Sequence, residues 1–269
     1  MISSESNPQI KDLIKLQNNA RHRKKSGLFV TEGIKLTKEA AGYGRLQRVY
    51  LSEHFYVQAQ EQIPQEFAAL PVEVVSDGVF AKAADTVTPQ GVLGVAKMPE
   101  YTLEDILTDP RRLYVLLDDL RDPGNLGTIV RTAEGADASG VILSRQSVDL
   151  FNPKVVRSTM GAIFRVPFYY TEDLPETICR MKERGIQVYG TMMEGSLVYD
   201  RQDYTGAAGF VIGNEANGLS DAVIEQLSGR VRIPMGGSLE SLNAAVSAAI
   251  VLYEADRQRR CLQETENKV

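Results

Sequence analysis

The chain has 269 residues, 43% of them hydrophobic, and a formal net charge of −5. That length favours two domains over one. No apolar run is long enough for a membrane span, and MISSESNPQIKD at the start shows no secretory leader. Cys179 and Cys261 fall in helix-like segments, which fits a reducing, cytoplasmic setting and gives no basis for a metal cluster. The net acidity on its own argues against nucleic acid, yet residues 11–48 hold ten Lys and Arg against three Asp and Glu. The densest part, NNARHRKKSGLF, reads either as a solvated helix end or as a basic patch on a small N-terminal domain.

In chain order, PQIKDLIKLQNN has helical spacing through Ile10, Leu13, Ile14 and Leu16, and LFVTEG reads as a short strand. IKLTKEAAGYG is a helix stopped by glycine, and LQRVYLS and VEVVS are strands by β-branched content. SDGVFAKAAD is a short helix expected to be capped by Ser76, and GVLGVAKM is a strand. KMPEYTLEDILTDP lacks periodicity, so the reading is a domain over residues 1–98, a linker over 99–110 and a second domain over 111–269.

The second half alternates strand and helix. Strands are expected at 112–117, 140–144, 163–168, 186–191, 208–212 and 230–234. Helices begin at Asn152-Pro153, at Asp173 and at Ser220. This rhythm predicts an α/β domain with a mostly parallel sheet covered on both faces. In the last helix Leu242, Val246, Ala249 and Tyr253 share one face, and small residues fill most of the rest of its first half. That composition suits close packing against the sheet or a partner subunit. The final QETENKV reads as frayed.

Three loops share a design. PGNLGTIVRTAEGAD follows an apolar strand and places Asn125 at a helix mouth and Arg131 further inside. IGNEANGLS holds two glycines, two asparagines and Glu215. IPMGGSLESLNAAV opens a turn at Gly236 and Gly237, with Ser238 or Ser241 as helix cap. In a parallel sheet all three lie beyond the carboxyl ends of strands, where ligands bind. No histidine accompanies them, which disfavours a Ser–His–Asp hydrolase or a histidine-containing metal site. Backbone groups and apolar strand ends suit a neutral, planar, nucleoside-like ligand.

Taken in order, NLGTIVRTAEGAD, IGNEANGLS and IPMGGSLESLNAAVSAAIVLYE resemble the three signature motifs of the SpoU (TrmH-like) RNA ribose 2′-O-methyltransferases of the SPOUT superfamily. The resemblance covers roughly residues 111–260. The first half, with NARHRKKSGLFVTEG, is similar to the L30e-like substrate-binding domain found on many members. The resemblance implies S-adenosyl-L-methionine as donor, a homodimer, a C-terminal trefoil knot, and RNA as substrate, ribosomal before transfer RNA. A non-catalytic RNA-binding protein of the same fold is the rival from another class.

On this sequence the cofactor would lie against residues 190–193, 212–218 and 233–242. The matching positions are Thr191, Met192, Ile212, Gly213, Asn214, Gly218, Ile233, Met235, Ser241 and Leu242. The family pattern makes Arg131 central, as base or as stabiliser of the emerging alkoxide. Asn125 would orient the ribose or Arg131. Glu215 would pair with Arg131 or position the nucleotide, and Ser241 and Asn243 would shape the catalytic pocket. Arg21, Arg23, Lys24 and Lys25, with Arg131, would hold RNA.

Overall fold

The protein is described here from a computed structural model covering residues 1–59, 63–109, 111–194 and 196–266. It begins with α1 (Pro8–Asn18), α2 (Ala20–Ser26), β1 (Leu28–Glu32), α3 (Ile34–Gly42) and β2 (Leu46–Ser52). Next come α4 (Glu53–Ala59), β3 (Val72–Val75), α5 (Asp77–Ala83) and β4 (Val92–Lys97). The remainder starts with α6 (Leu103–Leu107), β5 (Leu113–Leu117), α7 (Pro123–Gly135), β6 (Gly140–Ser144), α8 (Pro153–Ser158) and β7 (Phe168–Thr171). It ends with α9 (Leu174–Glu183), β8 (Gln187–Thr191), β9 (Leu197–Val198), β10 (Ala208–Ile212), α10 (Asp221–Ile224), β11 (Gly229–Arg232) and α11 (Ala244–Glu266).

Two compact units result. The first comprises Met1–Pro99 together with Asp149–Phe164, and the second comprises Glu100–Val148 and Arg165–Val269. In the first, a four-stranded mixed sheet runs β1-β4-β2-β3. Asn7 caps α1 by accepting the Gln9 N–H at 2.8 Å. That helix buries Ile10, Leu13 and Leu16 with Val30, Tyr50, Phe80 and Leu93. Each such side chain contributes about 1.5–3 kcal/mol when fully buried. Ser76 precedes α5 but makes no side-chain cap bond, contrary to expectation.

In the second unit seven parallel strands run β7-β6-β5-β10-β8-β11-β9. Every residue of β5, β6 and β10 is buried, which is why those segments read as unbroken apolar runs. Strands β8 and β9 are joined by residues 192–196, yet β11 lies between them, with Val231 opposite both Thr191 and Leu197. Two strands consecutive in the chain are thus separated in the sheet by one made later.

Several expectations change. The strand expected at 163–168 is a 3₁₀ turn over Ala162–Phe164, and β7 starts only at Phe168. Met160 and Gly161 have φ of 51° and 90°, which reverse the chain, and Pro167 delays the strand. The segment read as a linker contains α6, started by a capping box between Thr102 and Asp105, and buries Leu103, Ile106 and Leu107 in the second unit's core. Residues 149–164, read as part of the second domain, cluster with the first unit.

Helix α11 buries Ala245, Ala248, Leu252 and Ala255, while Val246 and Tyr253 from the expected packing face are each 47% exposed. It extends to Glu266, into the segment read as frayed. Residue 110 of the expected linker and residues 267–269 of that tail lie outside the described residues.

Candidate functional site

The loops after β5, β10 and β11 meet at the carboxyl edge of the parallel sheet and are joined by hydrogen bonds. Asp122 begins α7 by accepting the Asn125 N–H at 2.7 Å, with Pro123 in the first turn. The Glu215 carboxylate accepts from the backbone N–H groups of Arg121 and Asp122, at 3.2 and 3.1 Å, and from Asn125 Nδ2 at 2.9 Å. Asn125 Oδ1 in turn accepts from Asn243 Nδ2 at 2.8 Å. Asn243 Oδ1 then caps α11, taking the N–H groups of Ala245 and Val246. The cap of that helix is therefore Asn243, not Ser238 or Ser241.

One chain, Glu215–Asn125–Asn243, thus links all three loops. It also changes the roles expected of these residues. Glu215 pairs with Asn125 and not with Arg131, and Asn125 has both its oxygen and its nitrogen engaged. Burial opposes ionisation of Glu215, but the Asn125 amide and the backbone N–H groups of Glu215, Asp122 and Arg121 outweigh it. Its carboxyl is held below the usual glutamate range. A carboxylate so satisfied is a poor proton acceptor.

Two further ties escaped the sequence. Asp118, only 8% exposed, accepts both the N–H and the Oγ–H of Ser220 at 2.8 Å. Asn214 Nδ2 donates to the Asp119 carbonyl at 2.8 Å, while Asn214 Oδ1 accepts from Ala216 and Asn217 N–H. The only signal for these ties was the acid pair Asp118-Asp119 directly after a strand. Gly213 is required here, because a Cβ on it would lie 2.4 Å from the Gly218 carbonyl carbon.

Two of the laced loops, those after β10 and β11, line a cavity of about 660 Å³ together with Thr191, Met192 and Met193 at the end of β8. Every position matched to the cofactor, from Thr191 to Leu242, lines it, and Glu240, Asn217 and Ser247 join them. The Asn214 amide is spent on its own loop, so that residue has mainly backbone to offer. Ser241 lines the cavity and is exposed, whereas Asn125 and Arg131 do not line it. Arg131 lies on α7, exposed, with no partner for its guanidinium among the described residues.

The four basic residues of α2 divide. Arg21, Lys24 and Lys25 are exposed. Arg23 is 4% exposed and bonds to Asp149 through Nε at 3.0 Å and Nη2 at 2.5 Å. Its Nη1 donates to the Leu16 and Gln17 carbonyls. Arg23 is therefore a buried anchor within the first unit, and the expectation that it holds RNA is corrected.

A fully parallel sheet with a cavity at its carboxyl edge, lined by the segments after β8, β10 and β11, defines an α/β protein with a small-molecule site. The chain belongs to the SpoU rRNA Methylase family, which matches residues 112–253, and residues 7–94 match the MRM3-like substrate binding domain. It is 32% identical to the 23S rRNA (guanosine(2553)-2'-O)-methyltransferase RlmP of Bacillus subtilis, over 94% of this chain and 97% of that one. It is 30% identical to a 23S rRNA (uridine(2479)-2'-O)-methyltransferase of Streptomyces viridochromogenes, over 91% and 88%. The AdoMet-bound rRNA methyltransferase of Sinorhizobium meliloti superposes with a TM-score of 0.83 at 33% identity, covering 95% of this chain and 97% of that one.

Proposed function

We propose that the protein transfers a methyl group from S-adenosylmethionine to a ribose 2′-hydroxyl in large-subunit ribosomal RNA, acting as a cytoplasmic homodimer. The laced cavity carries the reading. Its volume lies in the range of roughly 300–1,000 Å³ usual for small-molecule sites. Met192, Ile212, Ile233, Met235 and Leu242 provide an apolar cradle for an adenine, and the Glu240 carboxylate provides a counter-charge for an ammonium or sulfonium. When bound, the cofactor supplies an electrophilic methyl group.

The chain's own residues do the rest. The Glu215–Asn125–Asn243 chain and the Asp118–Ser220 tie hold the cradle rigid, so positioning contributes much of the rate. The Arg131 guanidinium stays charged and has no partner to leave, which suits it to the alkoxide that develops as the hydroxyl gives its proton to solvent water and its oxygen takes the methyl group from sulfur, and to a flanking phosphate. Arg131 lies off its own chain's cavity, and Val246 and Tyr253 expose apolar surface seven residues apart on α11. Both observations support a second copy that brings its Arg131 to this cavity. Ribosomal RNA is favoured over transfer RNA because both relatives above are named for 23S rRNA, and their similarity spans the small first unit as well.

The test is transfer of labelled methyl to RNA from cells lacking the gene, fractionated and then digested to nucleosides. A 2′-O-methylnucleoside in large-subunit RNA is the expected result. Label only in transfer RNA would overturn the substrate, and absence of both label and cofactor binding would overturn the reaction.

A pH prediction follows from Glu215. Its carboxyl is depressed in the folded state, so the stability it lends is present above the unfolded value and is lost as pH falls through the folded one. The stability that Glu215 lends is expected to be level from about pH 8 to 5 and to fall only below the ordinary glutamate pKa of about 4.3. Glu215→Gln should make the acid limb of stability shallower in thermal melts run across pH. A fall already complete at pH 5 would show that another group controls the loops.

A further inference from the structure

One end of the small unit's sheet gathers cations that no carboxylate neutralises. Strands β1 and β2 begin there and β4 ends there. Lys97 lies opposite Leu28. The Lys97 N–H donates to the Arg45 carbonyl and the Met98 N–H to the Gly27 carbonyl, both at 2.8 Å. Helix α2 closes at Gly27, which brings Lys24 and Lys25 to the same end. Arg21, Lys24 and Lys25 are spaced i, i+3 and i+4, so they share a helix face. Lys24, Lys25 and Lys97 are exposed and Arg45 is half-buried. None of these four has an ion-pair partner among the described residues. Elsewhere in the unit Arg23, Lys38, Lys82 and Arg157 are matched by Asp149, Glu66, Glu5 and Asp85, while Lys11, Lys15, Lys35, Arg48 and Lys154 also have no ion pair among the described residues, so what distinguishes this end is the gathering of its cations.

An aromatic ring lies two residues from one of these cations in the chain. Tyr43, two residues before Arg45, is 48% exposed. One face of its ring stacks on Phe164, with centroids 5.9 Å apart and planes 13° from parallel. A second ring behind it restricts Tyr43, so another flat partner can stack at low entropic cost. Charge favours the same unit. The first unit holds 14 Lys and Arg against 11 Asp and Glu, and the second 16 against 24. Long-range attraction for a polyanion therefore resides in the first.

We propose that this end of the sheet docks an unpaired segment of RNA, with Tyr43 stacking one base and Lys24, Lys25, Arg45 and Lys97 on the neighbouring phosphates. The inference rests on the RNA reading above. It goes beyond it by naming a loop or bulge, not a duplex, as what the small unit grips, since only unpaired bases can stack on a side chain.

The test measures binding of the full-length protein to a labelled RNA hairpin with an unpaired loop, and to a fully paired duplex of equal length, over a salt series. Arg45→Ala with Lys97→Ala is expected to weaken hairpin binding and to flatten the slope of log affinity against log salt by about 1.4, or 0.7 per lost phosphate contact. Tyr43→Ala should weaken hairpin binding about tenfold with the slope unchanged, and Tyr43→Phe should restore it. Lys82→Ala, away from this end, should change nothing. Thermal melts separate a lost contact from lost folding, and the charge pair keeps the test decisive where Tyr43→Ala lowers the melting temperature.

An unchanged slope, equal behaviour of Tyr43→Ala and Tyr43→Phe, or duplex binding as tight as hairpin binding would overturn the proposal. Methyl transfer to total RNA is measured in parallel. Transfer by the parent protein with hairpin binding indifferent to these variants would sink the docking surface alone. The expected variant effects without any transfer or cofactor binding would sink the methyltransferase reading and leave the surface standing.

Discussion

Arg131→Ala is expected to lower methyl transfer by about a thousandfold and to leave S-adenosylmethionine affinity within about twofold. The first half follows from charge. A pre-placed guanidinium facing a developing alkoxide acts in the transition state, and loss of one such donor costs roughly a hundred- to a thousandfold in rate. The second half follows from placement, because Arg131 on α7 does not line its own chain's cavity, and at a second copy's cavity its role is toward the ribose and phosphate, not the cofactor. Arg131→Lys should recover only part of the loss, since an ammonium keeps the charge but not the planar fork that reaches hydroxyl and phosphate together. Single-turnover transfer and calorimetric cofactor binding on the same preparation decide the matter. Cofactor affinity that collapses along with activity would remove Arg131 from the reaction and make it a support of the fold.

Arg23→Ala is expected to destabilise the protein by about 3 kcal/mol, the low end of what removing one member of a buried ion pair costs. The low end applies because Asp149 keeps 29% of its side chain in water while Arg23 keeps 4%. The loss includes two donor bonds to the Leu16 and Gln17 carbonyls, which tie the end of α1 to α2. Lys24→Ala with Lys25→Ala, on the exposed face, should stay within about 0.5 kcal/mol of the parent. Denaturant melts distinguish the two sets. An Arg23→Ala protein as stable as its parent would mean that this guanidinium can reach water without cost, and would return it to the surface group. The same contrast matters for RNA work, because a triple substitution that includes Arg23 would confuse lost folding with lost binding.

Most of the architecture was legible because its signals are local. Buried parallel strands show as unbroken apolar runs, as at Leu113–Leu117 and Ala208–Ile212. Helices α1, α3 and α9 show by periodicity, caps and a closing glycine. What stayed hidden depends on distant partners. Strand β9 is two residues long and exists only through β11. Helix α2 has no apolar stripe, and its one inward group is an arginine whose carboxylate lies 126 positions away. The candidate site divides in the same way. The three loops and the residues lining the cavity could be read in order along the chain. That Asn125 and Glu215 face each other and not Arg131 could not, because donor geometry across loops is set only once the sheet has formed.

Neither unit is encoded by one continuous stretch, and this imposes an order on biosynthesis. A nascent chain that has reached only residue 99 carries Arg23 without Asp149, and β1 without the helix α8 that packs against it. Its first unit must wait for another 65 residues of translation before its last segment, Asp149–Phe164, arrives. The second unit waits longer. Its cavity takes its third wall from residues as late as Ser247, and β11 must come to lie between two strands already made. The pocket is therefore completed only once the first turn of α11 has been made, so a product truncated before it has no finished site with which to compete for the methyl donor.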